Sequence, residues 1–110
     1  MPMELGDVIA SRILSLDDTE SVSVSIGRPV VDSDGSVFCP YQITGIGTGR
    51  VRRIGGVDGV QSILLAMKMI ANDLYSSPEG RAGRLSWAGD RNLDFPVLEI
   101  TEPLVPRKGS

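Results

Sequence analysis

One stretch constrains this chain more than any other. It runs from Gly56 to Pro78 and reads Gly-Val-Asp-Gly-Val-Gln-Ser-Ile-Leu-Leu-Ala-Met-Lys-Met-Ile-Ala-Asn-Asp-Leu-Tyr-Ser-Ser-Pro. Apolar residues recur at Val60, Ile63, Leu64, Met67, Ile70, Ala71 and Leu74, the spacing of a helix with one buried face. Asp58 is placed to accept a bond from a free backbone N–H, and Gln61 completes a capping-box pattern. Ser76-Ser77-Pro78 stops the run, because proline lacks a donor and disfavours helical geometry in its predecessor. Nothing else in the sequence makes a long helix, so the remainder must fold against this one.

The polar face of that helix carries Gln61, Ser62, Lys68, Asn72, Asp73 and Ser76. Leu65 and Met69 fall inside it, four residues apart and therefore in contact. Two readings stay open. A loop or second element covers the pair, or the pair meets a partner protein or a second copy of the chain.

The residues before the helix alternate. Ser21-Val22-Ser23-Val24-Ser25-Ile26 is the cleanest strand, with Val22, Val24 and Ile26 facing inward. Asp7–Leu16 reads as a strand that pairs with it across Asp17–Glu20, although Leu5, Ile9, Ile13 and Leu16 also suit a short helix. Ser36–Thr44 is a third strand, where Pro40 implies an edge or a bulge. Arg50–Ile54 is a short fourth strand. Arg84–Trp87 suits a short strand or a packed turn, and Pro96–Ile100 one more short strand. The expected fold is therefore α+β: an antiparallel sheet of about four strands in meander order, with the long helix packed on one face. One helix is too narrow to cover four strands, so Trp87–Ile100 is expected as a second cover. Residues 1–100 form one domain and 101–110 a loose tail. Leu104-Val105-Pro106-Arg107 resembles a protease-site remnant that Lys108 interrupts.

Composition removes several functions. The chain has 110 residues, a net charge of −3 and no histidine. A domain of this size folds without metals or disulfides. An acidic balance argues against general nucleic-acid binding. Without histidine there is no Ser-His or Cys-His nucleophile pair, and nearly every zinc site is lost. The single Cys39 cannot make an internal disulfide, which suits a reducing cytoplasm. Met1–Asp7 has no leader pattern, and no run is apolar enough to span a membrane. No metal and no cofactor is expected.

Candidate motifs mostly reduce to structure. Gly45–Gly56 is glycine-rich, holds Arg50, Arg52 and Arg53, and leads into a helix start, as phosphate sites do. Its spacing fits neither dinucleotide nor P-loop patterns, and Asp58 repels an anion. Asp32-Ser33-Asp34-Gly35 lacks the ligands of a calcium loop and reads as a turn. Cys39 reads as a buried thiol. Trp87 is an anchor at the edge of the core or a partner contact. Asp90, Asp94, Glu99 and Glu102 show no spacing that places two on one rigid element.

The stretches Gly27-Arg28-Pro29, Phe38–Gly45 and Gly55–Gln61, followed by Trp87, Leu93 and Phe95-Pro96, resemble a family of small bacterial proteins of unknown function. The resemblance spans about Val8 to Pro96 and implies no activity and no catalytic residue. Similar Gly-Val-Asp helix starts and Trp…Leu-x-Phe-Pro codas occur in immunity-type proteins of bacterial toxin systems, an analogy that implies an inhibitor-like role. The expected function is a non-enzymatic, cytoplasmic interaction module with a protein partner or homodimer contact on the outer helix face at Leu65 and Met69. The alternative is a domain that binds a small molecule or phosphate through Gly45–Ile54.

Overall fold

The computed structural model describes residues 4–110. Met1–Met3, part of the stretch read above as lacking a leader, lie outside the described residues. Alternation becomes strand where it was read. β1 (Val8–Leu16) and β2 (Glu20–Gly27) pair antiparallel. The turn between them places Asp17 and Asp18 at φ 55° and 60°, a left-handed geometry that aspartate tolerates and tight hairpins require. The helical alternative for the first segment is therefore excluded. Val22, Val24 and Ile26 are buried, as their spacing predicted.

Pro29 ends β2, and the chain rejoins the sheet as the two-residue β3 (Val30–Val31). β4 (Val37–Thr44) pairs with β2 through Tyr41–Thr44 and with β3 through Val37–Phe38. The gap between those ladders falls at Cys39–Pro40. This corrects the edge-strand reading of Pro40: the strand is central, and the proline occupies a break where no donor is needed. β5 (Val51–Gly56) pairs with the other side of β4. β6 (Leu85–Ser86) adds to β1 beyond the meander. The sheet thus has six strands rather than about four. The excess arises because a proline divides the second strand and because Leu85 and Ser86, just before the Trp87–Ile100 coda, pair with β1. Pro96–Ile100 forms no strand.

α1 (Gly59–Ser76) packs on β4 and β5, and only slightly on β2. Its start is built as the sequence implies. Asp58 accepts from the Gln61 N–H at 2.8 Å, and the Gln61 side chain accepts from the Val57 N–H at 2.7 Å. At its end, the Ser77 hydroxyl donates to the Leu74 carbonyl and accepts from the Gly80 N–H, so one residue closes α1 and opens α2 (Pro78–Arg81). The buried face differs from the expected one in the first turns. Val60 is 78% exposed and Leu64 is exposed, whereas Ser62 is fully buried. Gly56 explains this: a side chain there would lie 2.6 Å from the Ser62 nitrogen. The backbone of β5 comes so close that only a small residue fits beneath it.

The inner face over β1 is covered by the coda. Leu93 is buried, and Trp87, Phe95, Val97, Leu104 and Val105 pack against the core. The Leu93 N–H donates to the Tyr75 hydroxyl at 2.8 Å, joining the coda to α1. Residues 101–110, expected to be loose, are held. Thr101 is fully buried and donates to the Asn72 side chain at 2.9 Å. Glu102–Leu104 forms a 3-10 turn. Asp90 accepts from the Gly109 N–H at 2.6 Å. No helix among the described residues is long and apolar enough to cross a membrane.

Candidate functional site

Period-two alternation sends Tyr41 of β4 and Arg52 of β5, which are direct cross-strand partners, to the inner face of the sheet. α1 brings Asp73 over them. The Tyr41 hydroxyl donates to Asp73 Oδ2 at 3.3 Å, and Arg52 donates to the same oxygen at 3.1 Å. Burial, together with the Asp73 carboxylate, pushes the Tyr41 phenol up to about 12. It therefore stays protonated and serves as a donor. Among the described residues, Asp73 Oδ1 accepts no hydrogen bond, and the side chain keeps 23% exposure.

These residues stand on the wall of a cleft of about 260 Å³. The β4–β5 loop closes one side with Ile46, Thr48 and Arg50, and the α1–α2 junction closes the other with Ser76, Ser77 and Glu79. The loop takes its shape from glycine. Gly45 has φ +103°, and a side chain there would lie 2.6 Å from the Ser21 carbonyl. Gln42 fastens the far end by donating to the Gly49 carbonyl at 2.8 Å. Two arginines and two carboxylates line the cleft, with Arg52 already paired to Asp73. No ion pair among the described residues involves Arg50.

The chain matches the family described as "Domain of unknown function (DUF6968)" over residues 10–97. The chain belongs to that family. The matched span includes β1 from Ala10 onward, β2 to β6, both helices and Leu93–Pro96, and so every wall of the cleft. No curated protein and no solved structure matches the chain.

The residues singled out in the sequence divide among three places. Arg50 and Arg52 line the cleft. Arg53, one residue on, points to the opposite sheet face, with its guanidinium 4.1 Å from the Phe38 ring centroid. Trp87 lies at the far end of the sheet, where the Arg12 guanidinium stacks on it at 4.0 Å and on Phe95 at 4.7 Å. Leu65 and Met69 are half-buried on α1 and line no part of the cleft. Met69 packs against the core. Tyr41, Asp73, Ile46 and Glu79 were not singled out in the sequence. Tyr41 reads there as core and Asp73 as helix surface, and only their register across three elements makes them a site. Cys39 is fully buried, and burial pushes its thiol up, as expected for an inert structural cysteine. Among the described residues no cluster of three or more His, Cys, Asp or Glu is placed to hold a metal.

Proposed function

We propose that this domain binds a small polar molecule in the cleft between the β4–β5 loop and the C-terminal end of α1, without turning it over. The observation that carries this reading is the free acceptor and free cation facing one small space. Among the described residues, Asp73 Oδ1 has no donor and Arg50 has no carboxylate partner. The ligand that suits both has an acidic group at one end and hydroxyl or amino donors at the other. Ile43, Ile46 and the Tyr41 ring supply an apolar wall for its body. A bare phosphate suits the lining less well, because Asp73 and Glu79 stand in the same cleft. What supports binding without turnover is the lining chemistry: the phenol is held protonated and the serines donate to helix-end carbonyls.

The protein-contact reading at Leu65 and Met69 has less support, because Met69 packs against the core and the neighbouring Asn72 is joined to Thr101. A reducing, cytoplasmic setting is part of the proposal, on the strength of a single unpaired cysteine.

A thermal-shift panel of amino acids, hydroxy acids, sugar phosphates and nucleotides tests the reading. A ligand present at about a hundred times its Kd should stabilise the fold by about 2.7 kcal/mol. Asp73→Asn and Arg50→Ala should each remove that shift. No shift with any member, or a shift that survives both substitutions, would overturn it.

A further inference from the structure

Four charged side chains line the cleft, Arg50, Arg52, Asp73 and Glu79, and their charges sum to zero. They are not paired off two by two. Arg52 meets Asp73, whereas among the described residues neither Arg50 nor Glu79 makes an ion pair. The cleft therefore holds one spare cation and one spare carboxylate, with Asp73 Oδ1 as a further acceptor. Glu79 is half-buried, which makes an unmet charge there less favourable than at an open surface. A plain anion in this space would satisfy Arg50 and face Glu79. A plain amine would do the reverse. A ligand that carries both charges meets both groups and leaves the site neutral.

We infer that the ligand is a free α-amino acid with an uncharged aliphatic side chain, an inference that rests on the binding reading above and names its ligand class. The carboxylate goes to Arg50. The Thr48 hydroxyl accepts from the Arg50 N–H at 3.3 Å and keeps its own proton to donate to the same carboxylate. The ammonium goes to Glu79 and Asp73 Oδ1. Its charged N–H donors suit two carboxylates better than a neutral hydroxyl does. The place in the fold favours it too. The cleft lies at the C-terminal end of α1, where the helix dipole attracts positive charge, and α1 has no basic residue in its last turn. Arg81 reaches back to one carbonyl there, that of Ser76, at 3.1 Å. The aliphatic side chain lies on Ile43, Ile46 and the Tyr41 ring, a wall that offers no partner to a third charge. Size agrees with this class. Pockets for drug-sized ligands run from about 300 to 1,000 Å³. At about 260 Å³ this cleft is scaled to one amino acid rather than to a nucleotide.

Calorimetric titration of the full chain with valine, leucine and methionine tests this. The tightest of them is then compared with its 2-hydroxy acid and its decarboxylated amine, each of which lacks one of the two charges. Each analogue should bind about tenfold more weakly or worse, for the loss of one charge-assisted contact. Glu79→Gln should weaken the amino acid about tenfold and leave the hydroxy acid unchanged, whereas Arg50→Gln should weaken both. Both side chains are at least partly exposed, so circular dichroism should stay unchanged, and the analogues make the same comparison on the parent chain. A hydroxy acid that binds as tightly as the amino acid would overturn the inference and leave the broader reading of the cleft standing. Amino-acid binding that Glu79→Gln does not weaken would do the same. No binding by any of the three amino acids would also overturn the inference, and only silence across the wider thermal-shift panel would remove the reading of the cleft with it.

Discussion

The Arg12 guanidinium lies 4.0 Å from the centroid of the Trp87 ring, and its Nη1 donates to the carbonyls of Leu93 and Asp94 at 2.8 and 3.0 Å. One cation therefore fastens the coda to β1 by two kinds of contact. Arg12→Ala removes both and leaves the carbonyls without that donor. The expected cost is about 1–3 kcal/mol. Arg12→Lys should recover only part of it, because an ammonium has no flat face to stack. Trp87 is the one tryptophan in the chain, so its emission during denaturant unfolding reports on the same contact. An unchanged midpoint in Arg12→Ala would contradict this account.

Tyr41 should make the fold sensitive to alkali. Its folded pKa, pushed up to about 12, lies above the ordinary value of 10.0. Between those values the unfolded chain has lost the proton that the folded chain keeps. Stability is therefore full below pH 10 and falls as pH rises toward 12, by at most about 3 kcal/mol from this group. Tyr75 and Cys39 are raised as well and act in the same direction. Thermal melts across that range, compared with Tyr41→Phe, isolate its share: the variant should show the shallower decline.

Gly55 and Gly56 are adjacent in sequence and should respond differently to alanine. A Cβ on Gly56 meets the Ser62 nitrogen at 2.6 Å and its Cα at 2.9 Å, both backbone atoms of α1. A Cβ on Gly55 finds only the Val37 carbonyl, at 3.8 Å. Gly56→Ala should cost about 1–3 kcal/mol as β5 and the helix are forced apart. Gly55→Ala should be neutral or slightly stabilising, by up to about 1 kcal/mol. Equal melting temperatures for the two variants would rule out the close approach.

Thr101 tests whether the last residues belong to the fold. Its hydroxyl is fully buried and donates to Asn72. Thr101→Val keeps the shape but leaves the Asn72 carbonyl oxygen without that donor, at a cost of about 1–3 kcal/mol. Proteolysis of the native protein should then cut after Leu98 faster than in the parent chain.

Much of this architecture is legible residue by residue. The alternation at Val22, Val24 and Ile26 places β2 and its buried face, and Asp58 with Gln61 places the helix start to the residue. Those signals are local. Val60, Leu64 and Ser62 mislead because helical periodicity gives a stripe but not the shape of what meets it. At the first turns of α1 that partner is a glycine backbone. The cleft is the least legible feature. Tyr41 and Asp73 are 32 residues apart, and each looks ordinary alone. Their meeting depends on β4–β5 register and on helix rotation together, neither of which is encoded locally. Arg50 and Arg52 could be singled out from composition, and only the alternation with Ile54 separates Arg52 from Arg53.

That last pair has a consequence for how the chain tolerates insertions and deletions. Arg52 reaches Asp73, and Arg53 reaches Phe38 on the other side of the sheet. A one-residue slip of β5 would bring Arg53 into the place of Arg52 opposite Asp73, but would put Ile54 where Arg53 meets Phe38. Charge opposite Asp73 alone therefore cannot police this hairpin. The discrimination falls to Ile54, which packs against the core and would be turned out to water while Gly55 took its place. The loop from Gly45 to Arg50 is thus constrained in its odd or even length as well as at Gly45.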